Sequence, residues 1–252
     1  MSWIKNTGKI LIGISLIFAL VQSGSLGTLL DIFQDIDSDD IDTTLYPTST
    51  TVTPNAEKIE GYYERSYSWT YNGDKWTYSV SIPKSTYYYY KNLDHKSRDL
   101  AKYARDKSSR QYLSGLAEEL IVEGQQSGYT KSEIVMNAVA FVQSLPYTSD
   151  SVTTGHDEYP RYPIETLVDM GGDCEDTAIF MSALLREMGY GAVIITLPGH
   201  AAVGVKGGDN VKGTYYNYNG AKYFYLETTG NGFKIGQIPE KYKSYKAKII
   251  PV

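Results

Sequence analysis

The stretch that decides the fold is Gly171-Gly172-Asp173-Cys174-Glu175-Asp176, continuing through Thr177-Ala178-Ile179-Phe180-Met181-Ser182-Ala183-Leu184-Leu185 to Met188-Gly189-Tyr190. Two glycines allow a tight backbone approach, and Asp173 is a good helix N-cap. Glu175 and Asp176 fall in the first turn, where negative charge complements the helix dipole. Gly189 supplies the stop. Between these ends the helix is apolar almost all round, which predicts a buried central helix rather than a surface one.

That helix carries the only cysteine of the chain at its first turn. One cysteine excludes an internal disulfide framework and a Cys-cluster zinc site. A free cysteine is most often a small buried hydrophobe. At a helix start, however, the positive helix end favours thiolate, and a free backbone N–H stands ready for a developing oxyanion. Glu175 and Asp176 oppose thiolate formation, so a cationic partner is required, and the sequence predicts a lowered thiol pKa once histidine supplies it.

Of the three histidines, His95 lies at the start of a charged helix and His156 in a polar loop. His200 follows Pro198-Gly199 and opens the apolar run Ala201-Ala202-Val203-Gly204-Val205. Small neighbours there leave room for a substrate backbone, and pairing with a helix-start cysteine gives a nucleophile and its base. A third group must orient the imidazole from an adjacent strand. Glu227, at the end of Tyr223-Phe224-Tyr225-Leu226 and before Thr228-Thr229, fits that place.

The order Gly-Asp-Cys174-Glu-Asp at a helix start, His200 opening a strand, and a strand ending Leu226-Glu227-Thr-Thr resembles the transglutaminase-like superfamily of papain-type fold, especially its prokaryotic and archaeal cysteine proteases. The similarity spans 132–230, roughly two fifths of the chain. It implies a Cys-His-Asp triad working through a thioester, with the roles falling on Cys174, His200 and Glu227 as catalytic residues. Glu stands where the family commonly has Asp, and Ala201-Ala202 where many relatives carry an aromatic. Tyr147 and Tyr162 are the candidates for a second oxyanion donor.

Outward from this segment, Tyr62–Tyr71 and Lys75–Ile82 read as strands joined at Asn72-Gly73-Asp74, a hairpin signal. Pro83 closes the second, and Tyr87–Tyr90 is a four-tyrosine run of strong β preference. Helical periodicity covers about Leu93–Gln125, with a break at Ser108-Ser109, and Lys131–Ser144, where Thr130 and Glu133 form a capping box. Ile134, Ala138, Phe141, Val142 and Leu145 mark the inward face of that helix. A long irregular stretch, Tyr147–Pro163, precedes the cysteine helix. Strands follow at Ala192–Leu197, His200–Lys206, Tyr215–Tyr218, Lys222–Thr228 and Tyr245–Ile250, with Gly207-Gly208-Asp209-Asn210 as a hairpin turn. Helices first and strands afterwards predict an α+β class, helices packed on an antiparallel sheet.

At the other end, Lys5 and Lys9 precede an uncharged segment, Ile10–Leu30, long enough to span a bilayer with its N-terminus in the cytoplasm. This predicts a signal anchor over 1–30; cleavage near Ser23 and Ser25, giving a secreted product, is the alternative. Residues 31–58 are acidic and then rich in Thr, Ser and Pro, a stalk composition, and 59–252 form the folded domain. Six aspartates between Asp31 and Asp42 account for the formal charge of -5, leaving the rest near neutral. No basic face suits a nucleic acid. No HExxH-type spacing suggests a metal, and no cofactor is expected. The reading is a membrane-anchored, extracytoplasmic cysteine hydrolase that cleaves an amide or isopeptide bond in a peptide or protein substrate of the cell envelope. The alternatives are acyl transfer that cross-links surface proteins, and a catalytically silent domain that binds peptide or polysaccharide.

Overall fold

Residues 59–150 and 158–252 are described by a computed structural model. The anchor, the stalk and His156 lie outside them. Among the described residues no helix is long and apolar enough to cross a membrane.

Strands β1 (Tyr62–Tyr71) and β2 (Asp74–Pro83) pair antiparallel, with Tyr71 opposite Asp74. Asn72 and Gly73 both take positive φ, 51° and 83°, which is the two-residue turn whose twist matches the strands it joins. The next element corrects a sequence expectation. Lys84–Lys91, including all four tyrosines, is helix α1, not strand. Tyr87 and Tyr90 sit three apart and are buried, while Tyr88 and Tyr89 face out. Packing of that i, i+3 pair overrides the β preference of each ring.

Helices α2 (Leu100–Ala104) and α3 (Lys107–Gln126) replace the expected Leu93–Gln125 helix. Leu93–Asp99 is not helical, and the break falls at Arg105-Asp106. Asp99 caps α2 at Ala101 N, and Asp106 caps α3 at Ser109 N, so each aspartate starts a new helix instead of continuing the old one. Helix α4 (Lys131–Gln143) starts at the predicted capping box of Thr130 and Glu133, and Ile134, Ala138, Phe141 and Val142 are buried. Helix α5 (Pro163–Asp169) precedes the cysteine helix α6 (Cys174–Glu187), in which every residue from Asp176 to Leu185 is buried.

Strands β3 (Ala192–Leu197), β4 (His200–Gly207), β5 (Tyr215–Tyr218), β6 (Ala221–Leu226) and β7 (Lys248–Pro251) form an antiparallel sheet in the order β5-β6-β4-β3-β7. Glu227 and Thr228 lie just beyond β6, and Tyr245–Ala247 lies before β7, outside the strands expected to hold them. Gly208–Val211 is a turn, as Val211 N–H bonds to Gly208 O at 3.2 Å. It is no hairpin, because β4 pairs with β6 and not with β5. The hairpin turn is Asn219-Gly220, with φ of 46° and 75°. On one face of the sheet α6 packs against β3 and β4, with α2, α3, α4 and α5 around it, which accounts for its all-round apolar surface. The opposite face buries Val193, Ile195, Leu197, Ala202 and Tyr225 under Ile238 and Tyr242.

Candidate active site

The start of α6 is built around its two glycines. A side chain on Gly171 would meet Pro146 O at 2.6 Å, and one on Gly172 would meet Asp176 Cβ at 2.5 Å. Without those side chains, Gly172 N–H reaches Pro146 O at 3.3 Å and Thr148 N–H reaches Gly172 O at 3.0 Å. Asp176 is free to fold back, accepting from Asp173 N–H at 3.1 Å, while Asp173 accepts from Glu175 N–H at 2.9 Å and Asp176 N–H at 3.3 Å. The caps predicted from sequence are therefore reciprocal, and they fix Cys174 as the first helical residue.

Arg161, fully buried, answers the acids around this turn. Its guanidinium pairs with Asp176, with Asp150 at 2.9 Å and with Asp169 at 3.4 Å, and its N–H donates to Asp176 Oδ1 at 2.8 Å. Burial opposes the charge on Arg161, but these three carboxylates hold its pKa above the usual value. Burial also pushes Asp176 up to about 7, against the pull of Arg161 and with help from Asp173. Glu175 is pushed up to about 7 by burial and by Asp173, Glu158 and Asp150. Oxygens of Asp150, Asp173 and Asp176 converge within 4.8 Å, a spacing a cation could use, yet the Arg161 guanidinium already holds two of the three carboxylates.

His200 opens β4, and the β4–β6 register, with Val203 opposite Leu226, brings Glu227 to it. The His200 Nε2 to Glu227 Oε2 distance is 3.0 Å. Glu227 also accepts from Tyr225 OH at 3.0 Å, from the Thr228 and Thr229 N–H groups at 3.1 Å each, and from Thr229 Oγ1 at 2.8 Å. Burial alone would raise this carboxyl. The hydrogen bond and charge of His200, together with the Thr229 donors, override it and bring Glu227 down to about 2. With Nε2–H donated to an ionised Glu227, the Nδ1 lone pair is left as the basic atom of the ring. Tyr242 stacks on the imidazole at 4.3 Å between centroids and 7° between planes, fixing its rotation.

Cys174 meets the same strand one residue on. Ala201 N–H points to its sulfur, lowering the thiol pKa, but burial dominates and, with Asp173 and Glu175, pushes it up to about 11. This reverses the lowered pKa expected from the sequence. Among the described residues no hydrogen bond joins the thiol to the imidazole, so the ion pair needed to offset burial and the acids is not formed. The structure thus joins His200 to Glu227 directly, and Cys174 to them through Ala201.

Tyr147, bridged to Gly172 and 62% exposed, lies close enough to Cys174 for mutual electrostatic influence. Tyr162 is corrected as an oxyanion donor: its ring is buried against Tyr90, Tyr103 and His95. His95 is held between the carbonyls of Pro160 at 2.8 Å and Tyr90 at 3.1 Å, stacked on Tyr159, and is a packing residue. Residues missed by the sequence reading are Arg161, Tyr225, Tyr242 and Gln143. The Gln143 amide donates to Glu227 O and Phe233 O at 2.8 and 3.0 Å and accepts from Gly232 N–H at 3.0 Å, tying down the segment after Glu227. Only the burial of a polar residue on the apolar face of α4 could have signalled it.

No protein-family model and no curated protein sequence matches the chain. Among solved structures it is similar to one described as a TGase, at 15% identity and a TM-score of 0.35, over 72% of this chain and 47% of that one. The chain thus spans about half that protein's length. It is also similar to a candidate cysteine protease from Cytophaga hutchinsonii, at 15% identity and a TM-score of 0.34, over 75% of this chain and 71% of that one. Neither likeness bears on chemistry, which rests on the geometry of the site.

Proposed function

We propose that the chain is a membrane-anchored, extracytoplasmic cysteine hydrolase that cleaves an amide or isopeptide bond through a thioester on Cys174. The observation that carries the reading is the His200–Glu227 pair: a carboxylate with every lone pair occupied and an imidazole fixed by stacking, with Nδ1 left basic, on the strand whose next residue, Ala201, points its N–H to the helix-start thiol. In this reading a resting thiol gives up its proton to His200 Nδ1 as Sγ attacks the carbonyl, and the Cys174 N–H receives the developing oxyanion. The resulting imidazolium, stabilised by Glu227, protonates the leaving amine; water then cleaves the thioester. Catalytic hydrogen bonds are often long before substrate arrives. The membrane and extracytoplasmic parts rest on Lys5, Lys9 and the uncharged Ile10–Leu30 alone.

The high thiol pKa favours a second reading, a silent domain that binds peptide or polysaccharide. Labelling by peptide electrophiles separates the two. In the hydrolase a substrate-like electrophile modifies Cys174 at neutral pH, and His200→Ala abolishes this, while simple iodoacetamide alkylation keeps its high midpoint in both proteins. Equal peptide labelling with and without His200 leaves the silent domain as the better reading.

A further inference from the structure

A cleft of about 520 Å³ opens beside Glu175, the residue after the candidate nucleophile. Its walls combine Lys96 and Arg98 from the segment before α2, Lys248 and Thr196 from the sheet, and Glu158 and Glu175. The sheet register gives it a direction. Ala201, whose N–H points to Cys174 Sγ, is opposite Thr196, and Thr196 is opposite Lys248. Residues opposite one another across antiparallel strands project to the same face, so this row runs from the thiol to Lys248 on the helix-bearing side. Two strand spacings make it about 10 Å long.

Charge divides along that row. Glu175 and its neighbour Glu158 stand at the Cys174 end. Lys248 stands two strands away, on the strand against which helix α2 packs, and Lys96 and Arg98, in the segment that leads into α2, share the cleft wall with it. Among the described residues none of these three cations is ion-paired, and the nearby Asp99 is engaged by Arg105 at 3.2 Å. An anionic group entering the cleft finds its cations at the far end and only carboxyl groups at the thiol end. About 10 Å of extended peptide is about three residues.

We propose that this cleft is a subsite for the carboxylate-ended tail of a peptide, seated with its terminal anion at Lys96, Arg98 and Lys248 and the amide bond two or three residues back over Cys174. The inference rests on the hydrolase reading and gives it a substrate class: peptides trimmed close to a free C-terminus. The tail is the leaving side. The Sγ–C bond forms as the C–N bond breaks, the released amine takes its proton from His200, and water returns the thioester to an acid and a free thiol.

The test uses two mixed-sequence peptide libraries, one with free C-termini and one amidated, digested by the full chain and read by mass spectrometry. Cleavage is expected two or three residues from the free terminus, with the amidated library cut about tenfold more slowly, the scale of about 1.4 kcal/mol from three exposed charge contacts acting together. The surface double variant Arg98→Glu/Lys248→Glu brings the free-acid rate down to the amidated one. Cys174-dependent cleavage at interior positions, equal for both libraries, overturns the inference and leaves the hydrolase reading standing. If neither library is cut, that reading fails for peptides, and protection of Cys174 from iodoacetamide decides the cleft: protection by the free-acid library alone sustains it, and equal or absent protection overturns it.

Discussion

Glu227 and Asp176 are about equally buried, at 2% and 0% exposure, yet one is held down to about 2 and the other is pushed up to about 7. Burial pushes both carboxyls up; their company decides whether that push is overcome. Glu227 takes five donors with no competing carboxylate among their owners. Asp176 shares the Arg161 guanidinium with Asp150 and Asp169, and two hydrogen bonds tie it to Asp173. The first arrangement fixes a charge for use on His200. The second holds a helix start in place and tolerates a proton.

The comparison is broken most severely at Glu227. Glu227→Gln turns an amide N–H toward Nε2, so the imidazole must carry its proton on Nδ1 and loses the atom that would take one from the thiol. Activity against a Cys174-dependent substrate is expected to fall on the order of 10³- to 10⁴-fold with folding intact, as for the comparable change in a serine-protease triad. A loss within about twofold would assign the orientation of His200 to another group.

Arg161→Met attacks the other side. It leaves Asp176 and Asp150 buried without their cation, and breaking a buried pair in this way costs about 3 to 5 kcal/mol. The measurement is urea unfolding, where the midpoint falls and the transition stays cooperative. An unchanged midpoint would mean that the acids simply take up protons, and that Arg161 contributes position rather than stability.

The smallest effect is a pH slope. Asp176 and Glu175 ionise near 7 in the folded chain but near 4 when unfolded, so between those values the folded state holds more protons. Their effect is to make stability rise as pH falls from 8 toward 5. Glu227 acts oppositely: its contribution is complete above about 4.3 and is lost as pH falls toward 2. The thermal midpoint is expected to be a few degrees higher at pH 5 than at pH 8, with a shallower slope in Asp176→Asn. A slope that Asp176→Asn leaves unchanged would show Asp176 to be ionised throughout, like Glu227.

Much of the site was legible because it is local. The caps of α6, the stop at Gly189 and the strand opened by His200 are each written within a few residues, and all stand where the sequence predicts. Glu227 was legible only by its neighbour strand, and its donors Thr228 and Thr229 by adjacency. Arg161 and Tyr242 were not, because their roles depend on which loops fold over the helix start and the sheet. The tyrosine run was misread for the same reason: its β preference is a property of single residues, and the helix α1 is set by which two of the four rings are buried. The direction of the thiol pKa was misread because the sequence shows charges and leaves the depth of burial out of view.

The hairpin β1–β2 holds its turn within two residues, but its docking contacts are remote: Trp69 bonds to Asn137 Oδ1 68 positions along the chain, and, farthest, Tyr67 bonds to Leu167 O and Arg65 to Val168 O, 100 and 103 positions along. Cys174, His200 and Glu227 span about half that separation. Closing the longer loop costs more chain entropy, and contacts remote in sequence slow a folding reaction. The expected order of events has the hairpin forming early and alone, the α6–sheet unit condensing around the thiol, and the hairpin docking last, so that mutations in its docking face speed unfolding more than they slow folding.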